Sequence, residues 1–490
     1  MLATVRMEYT ASAVKKDTAP SLRKRKHKTN PSEIKDNPGM DFISNLPIEI
    51  LEEIFLYLGS DDLVRCSYVS LQWREVINSN KIWSVQCSRD RILQKEYLQS
   101  SWSLISNPVK VYRDHVFDPE ATRLTVPCHW RSHYNRYKFL ERNWRKGNYS
   151  LIRTKVDAQH YIGGLLISVD ILGLTAYSIQ LLNYPMYIKK MDTSKDVDAV
   201  SVKGNLLFYT QDRHLICMKR FNLSFTKHYE ITVPTYLKQH SNHRSPTEST
   251  LALKITDKFL VIQDLTNACF LYFYDYKTGE FLRKVNLHTY TGNPCPQFTC
   301  LEAFDDKVFV AFSLHQHYIM IYDFKTDKVD VKVETSLRSS ELVVSKNFFC
   351  SKLTVNQLEK SCELHVWSVH NGEEVDLLCT NRHLPVLLTA DDKLIYSEHY
   401  TVYVRGLVNS NNDVEFTVEG RLQSMEPIWG NLLVLNLGFS LQLWDLSSGQ
   451  KLHTYLRESI EDMWVDDRHI VVKLTSRPWS TTAGYIIGFW

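Results

Sequence analysis

The sequence predicts a multidomain chain: a small all-α module, a helical linker and a large C-terminal all-β propeller. Three observations predict it. Between residues 41 and 87 apolar positions recur at i, i+3 and i+4, the spacing of one helix face. Beyond residue 149, apolar strands repeatedly end in an aromatic residue and Asp, followed by a polar turn. A second turn precedes each such strand, and these turns recur every 43 residues or so, about the length of a propeller blade.

The helical module opens at Asn45-Leu46-Pro47, with proline at a helix start and Glu49 complementing the helix dipole. Pro47, Ile50, Leu51, Ile54, Phe55 and Leu58 form one stripe. Gly59 stops the first helix, and Ser60-Asp61-Asp62 caps a second that carries Leu63, Val64, Cys66, Val69, Trp73, Val76 and Ile77. A third short piece holds Ile82, Trp83 and Val85. Three helices this short cannot bury so much apolar surface among themselves, so part of it is expected to face another chain. Packing against the rest of this chain is the alternative.

Residues 1–40 form a basic tail, in which residues 15 to 28 hold Lys15, Lys16, Arg23, Lys24, Arg25, Lys26 and Lys28 against one acid, Asp17. Its composition predicts disorder. Arg23 to Lys28 is similar to a simple nuclear-import signal, with a solvated tail as the alternative, so the expected location is cytoplasmic, nuclear or both. Net charge over the 490 residues is only +3, which gives no reason to expect direct nucleic-acid binding. No apolar run is long enough for a bilayer, because Gly163, Gly164, Asp170 and Gly173 break the nearest one, so no membrane contact is expected. The ten cysteines include no Cys-x-x-Cys and read as buried thiols in a reducing compartment.

The linker, residues 88–148, reads as irregular helix with loops at Asn107-Pro108 and Asp118-Pro119. Cys128, His129 and His133 lie close together, but no second ligand pair follows in register, so aromatic packing rather than a metal is expected and no cofactor is implied. The array, residues 149–490, contains aligned segments starting at Leu271, Ile319, Leu364 and Leu441, with a weaker copy at Thr401. The residues before the preceding strands are Gly164, Asn205, Lys258, Lys307, Asn347, Lys393, Asn431 and Arg468. Eight turns imply eight blades, with seven as the alternative if one copy is spurious. Closure removes the free sheet edge, and the segment from Tyr149 to Thr154 is expected to supply the strand that joins the two ends.

The order Leu46-Pro47-x-Glu49-Ile50-Leu51-x-x-Ile54-Phe55-x-x-Leu58, then Asp62-Leu63, Cys66, Val69, Trp73, Val76 and Ile82-Trp83, closely resembles the F-box. Asn143-Trp144-Arg145-Lys146-Gly147 resembles the segment that seats the helical arm on the propeller in F-box proteins with WD repeats, and Trp444-Asp445 resembles the WD dipeptide. One departure is that no Gly-His dipeptide occurs, so the histidine network of a standard WD blade is mostly missing. The resemblance implies a substrate-recognition adaptor of an SCF-type ubiquitin ligase, a non-catalytic subunit. Its F-box would bind a Skp-type adaptor, and through it cullin and RING subunits, by Leu46, Pro47, Ile50, Leu51, Ile54, Phe55, Leu58, Leu63, Val69 and Trp73. Several of these must also hold the module's own fold.

A protein substrate is expected on the propeller face formed by the loops between second and third strands, at 211–214, 315–317, 352–360, 398–400 and 475–477. Arg213, His214, His315, His317, His399 and Arg477 are the candidates, with Lys352 and Lys360 beside them. Guanidinium groups suit phosphate, so a phosphorylated substrate segment is one candidate ligand; a solvated polar rim is the alternative for each residue. A non-degradative scaffold is the alternative function. No P-loop, Gly-x-Gly-x-x-Gly, Gly-x-Ser-x-Gly or His-Glu-x-x-His nominates an enzyme.

Overall fold

The computed structural model describes residues 46–90, 92 and 127–489, the last span interrupted at 155, 158–159, 163–164, 171–172, 181–183, 191–196, 204–205, 212–213, 222–223, 233–252, 264–269, 292–296, 314–316, 357–360, 381–384, 390–391, 409–412, 429–430, 467 and 476–482. The basic tail, the linker loops at 107–108 and 118–119, and Gly164 and Asn205 lie outside the described residues.

The N-terminal module has four helices where three were expected: α1 (Ile48–Leu56), α2 (Ser60–Cys66), α3 (Leu71–Ile77) and α4 (Asn80–Arg89). The pattern from Leu63 to Ile77 is split by serines. Ser67 turns its hydroxyl back to the Val64 carbonyl, and Ser70 Oγ accepts the Trp73 amide at 3.1 Å, which starts a new helix. Gly59 is itself the extended residue before α2, so Asp61 and Asp62 fall in the first turn, where their negative charge complements the helix dipole. Leu51, Phe55, Leu63, Val76, Ile77, Ile82, Trp83 and Cys87 make the core. The Trp83 indole N–H is satisfied by the Ile77 carbonyl at 2.8 Å.

Helix α5 (His129–Lys146) is one uninterrupted rod. Cys128 Sγ caps its start on the Arg131 amide, and Gly147, at φ +66°, closes its end in the left-handed region. Its first half belongs to the helical module. Tyr134 and Tyr137 complete the core, Tyr134 donates to Asp90 Oδ2 at 2.6 Å, and Lys138 lies 3.0 Å from the same carboxylate.

The described residues after α5 form eight four-stranded sheets, the count favoured by the turn spacing. Seven are consecutive antiparallel meanders: blade one at 160–190, two at 197–232, three at 253–286, four at 297–335, five at 338–380, six at 386–417 and seven at 424–456. Blade eight is composite. Strand Ser150–Thr154 pairs antiparallel with Gly484–Gly488, Ser150 opposite Gly488, and so completes the sheet made by the end of the chain. Shared apolar clusters join neighbouring blades. One links blades three and four through Phe273, Leu301 and Tyr322, and another carries Ile152, Leu166 and Ile486 across from blade eight to blade one. That last contact closes the ring.

The repeated Asp has a local job. Asp275, Asp323 and Asp445 each end a third strand and accept amides two and three residues on, folding the turn to the outer strand. Gly279, Asp327 and Gly449 take the left-handed backbone those turns require, and Gly372 does the same in the matching turn after Ser368. The residues before the second strands have a different job. Lys258 meets Asp305 at 2.9 Å and also Asp306, Asn347 Nδ2 donates to Asp392 at 2.6 Å, and Lys393 Nζ donates to Asn431 Oδ1 at 2.8 Å. A belt of polar contacts between adjacent blades thus stands where a histidine network is missing.

Candidate functional site: a helical docking face and a propeller rim

The ten F-box positions separate by exposure. Leu51, Phe55 and Leu63 are sealed in the module's own core, so their side chains are not on the surface offered to a partner. Leu46, Leu58 and Trp73 are half-buried, and Trp73 meets Phe55 edge-on at 5.3 Å. Pro47 is exposed, as are Ile50 (48%), Ile54 (41%) and Val69 (62%). The sequence reading left out Ile48, Tyr57, Tyr68 and Leu71, which are also exposed and enlarge the apolar face. The signal was present: Ile50, Ile54 and Tyr57 follow i, i+4, i+7 along a second face of α1.

The far end of α5 is fixed to the propeller. Trp144 is fully buried and stacks on Phe489 at 3.6 Å with planes 15° apart. The Arg145 guanidinium reaches Asp445 Oδ2 at 2.5 Å and Glu141 Oε1 at 3.2 Å, and His453 Nε2 pairs with the Arg145 carbonyl at 2.8 Å. Burial pushes the Asp445 carboxyl up, but Ser447 and Arg145 outweigh it and hold the group below its ordinary value. Asn143-Trp144-Arg145-Lys146-Gly147 is therefore the seat of the helical arm, between blades seven and eight.

The six candidates on the propeller rim do not form one cluster among the described residues. Arg213, His315 and Arg477 lie outside those residues, as does Lys360. His214, 2.7 Å from Glu230, begins the third strand of blade two, half-buried His317 begins that of blade four, and exposed His399 (φ +55°) turns into that of blade six. Lys352 corrects an expectation. It lies inside strand Phe348–Asn356 rather than in a loop, is buried, and points at Glu341 Oε2 at 3.5 Å. The strand extends further than read because both of its faces are covered there, Phe349 to Leu353 all being buried. Among the described residues no three His, Cys, Asp or Glu side chains converge as metal ligands, and no helix is long and apolar enough to cross a membrane.

Residues 43–89 match the F-box-like family model. F-box/WD repeat-containing protein 7 of Drosophila melanogaster is 30% identical over 105 residues, which is 21% of this chain and 7% of that protein. The probable E3 ubiquitin ligase complex SCF subunit scon-2 of Neurospora crassa is 28% identical over 72 residues, 15% of this chain and 11% of that protein. The matches thus span only a small part of either curated relative. The C-terminal WD40 domain of Sif2 superposes with a TM-score of 0.46 at 13% identity, covering 69% of this chain and 97% of that one. BamB from Moraxella catarrhalis gives 0.45 at 11% identity, covering 70% and 98%. The fold defines an F-box-like helical module joined to a β-propeller. More particularly, these findings together support an F-box/WD-repeat protein.

Proposed function

We propose that this chain is a substrate-recognition adaptor of an SCF-type ubiquitin ligase. The observation that carries the reading is the division of α1: Leu51 and Phe55 hold the module together, while Ile50 and Ile54 on its other face are left to solvent. A Skp-type adaptor covers that face, with Pro47, Ile50, Ile54 and Val69 as its contacts and Leu46, Leu58 and Trp73 at the margin. Leu51, Phe55 and Leu63 act indirectly, by holding that face in shape. Cullin and RING subunits follow through the adaptor. The propeller holds the protein to be ubiquitinated, in the cytoplasm or the nucleus.

The chain's share of the chemistry is positioning. Helix α5, about 27 Å long at 1.5 Å per residue, is packed at one end into the module and at the other into the ring. A substrate on the propeller is held at a set distance from the adaptor, which raises the effective concentration of its lysines near the ubiquitin-carrying enzyme. The test is affinity capture with the full chain beside an Ile50→Asp, Ile54→Asp variant. The cullin–RING core should come down with the former alone, while propeller-bound proteins come down with both and survive longer in cells expressing the variant. Equal capture of the core by the two chains overturns the adaptor reading, and unchanged turnover despite lost capture favours a non-degradative scaffold.

A further inference from the structure

The outward side of α5 carries charge that the fold does not use. Ser132, Asn135, Phe139, Arg142 and Lys146 are exposed and follow i, i+3, i+7, i+10 and i+14, one line along the helix. That line holds no acid. The helix's single acid, Glu141, stands beside it and is taken up by two cations, Lys138 Nζ at 3.4 Å and Arg145 Nε at 3.2 Å. Those cations have further partners in Asp90 and Asp445. Arg142 and Lys146, one turn apart, pair with no carboxylate among the described residues.

The line forms one wall of a trough of about 640 Å³, and α2 forms the other. Ligand clefts run from roughly 300 to 1,000 Å³, so the trough has room for a few side chains of a partner. Its parts differ along its length. At the module end, the Tyr134 hydroxyl meets both Asp90 and Ser60, which fixes the start of α2 against α5, and Asp61 beside it is exposed without a partner. Next comes an apolar stretch, half-buried Val64 on α2 facing Phe139 on α5, which is 46% exposed. Toward the ring, the lining is cationic, with Arg142 and Lys146 free and Arg145 held by Asp445. None of these residues belongs to the exposed face of α1, and none lies on the propeller rim.

We propose that this trough is a second protein-docking site and that it takes a short segment of a partner protein in which acidic side chains flank an apolar one. The apolar side chain packs between Val64 and Phe139, and the acidic ones pair with Arg142 and Lys146. Phe139 and Lys146 are about 10 Å apart along the helix at 1.5 Å per residue, a span that extended chain covers in about three residues. Asp61 repels acid at the module end, so the acids lie to one side of the apolar residue only. A nucleic-acid backbone fits less well, since it would bring phosphates past Asp61 and Glu141 and leave the apolar stretch unused. Exposed ion pairs contribute little singly, so the apolar contact and both cations are needed together. A partner seated here rides on the arm between the adaptor face and the ring and competes for neither, whether or not the chain serves a ligase.

The test displays random twelve-residue peptides, depletes them on an Arg142→Glu, Lys146→Glu variant and selects the remainder on the unaltered full chain, with melting temperatures checked for every protein. The expected pool carries an aromatic or aliphatic residue with acids on one side of it. Single synthetic peptides from that pool should bind the charge-reversed variant at least tenfold more weakly, bind Phe139→Ala more weakly too, and bind Ile54→Asp as well as the unaltered chain. Selection on Asp61→Lys should admit acids on both sides. An empty pool, a pool without acids, or loss of binding to Ile54→Asp overturns the proposal. So does a twelve-nucleotide single-stranded DNA that binds the unaltered chain where no peptide does, which assigns the cations to nucleic acid. Self-association that the charge-reversed variant lacks assigns the trough to a second copy of the chain and overturns it equally.

Discussion

Trp144 lies flat on Phe489, ring centroids 3.6 Å apart, so the last turn of the linker helix rests on the residue before the chain's end. Tyr455 closes the same cluster edge-on to both rings. The ring therefore closes twice at one place: Ser150–Thr154 completes the blade-eight sheet, and Trp144 plugs the seam beside it.

Replacing Trp144 by Ala leaves a cavity in that cluster and is expected to cost about 3–5 kcal/mol. Phe489→Ala should cost less when Trp144 is already gone, because the two rings share one contact. Thermal unfolding of the single and double variants checks both statements. Additive losses would mean that the stacked pair does not couple arm and ring.

Gly147 sits at φ +66° with the His453 ring where a side chain would go, a Cβ meeting Cε1 at 2.8 Å. Gly147→Ala is expected to lower stability by more than about 1 kcal/mol, through both backbone strain and contact. Gly59→Ser is the control: the site is open, and serine is a good residue before a helix, so its melting temperature should hold or rise slightly.

The two faces of α1 predict opposite phenotypes. Leu51→Ala or Phe55→Ala should destabilise the module by about 2–5 kcal/mol and reduce adaptor capture only as far as the module unfolds. Ile54→Asp, on the exposed face, should change stability by no more than about 0.5 kcal/mol and abolish capture. Calorimetry alongside co-purification separates them.

Glu426 makes stability depend on pH in a stated direction. Its carboxyl is raised from 4.5 to about 7, so the folded chain holds the proton more tightly than the unfolded one. Stability from this group is intact below about pH 4.5 and declines as pH rises toward 7, the reverse of a salt-bridged carboxylate. Urea melts across that window should show the decline, and Glu426→Gln should flatten it. An unchanged slope in the variant would assign the effect elsewhere.

Much of this architecture is legible in the residues because it is made by short-range rules. Helix faces repeat within a few residues, Asp275 and Asp323 fold their own turns, and the closing strand at 150–154 announces itself because the last sheet is one strand short. The seat of the arm, Asn143 to Gly147, was readable through its resemblance to the corresponding segment of F-box proteins with WD repeats. The same rules misplaced Lys352, since a polar residue inside a strand resembles a loop until the packing of its neighbours is known.

What the sequence determined by itself is thus the order and kind of elements, the ring with its repeat, and the F-box character of the first module. Tertiary structure alone decided which apolar side chains of α1 are spent inside and which remain exposed, because that depends on how α3 and α4 pack against it. It also decided that Trp144 of the linker helix, Tyr455 of blade seven and Phe489 beyond the last strand share one cluster, because only the packing of the helix on the ring, with no counterpart in local periodicity, brings them together.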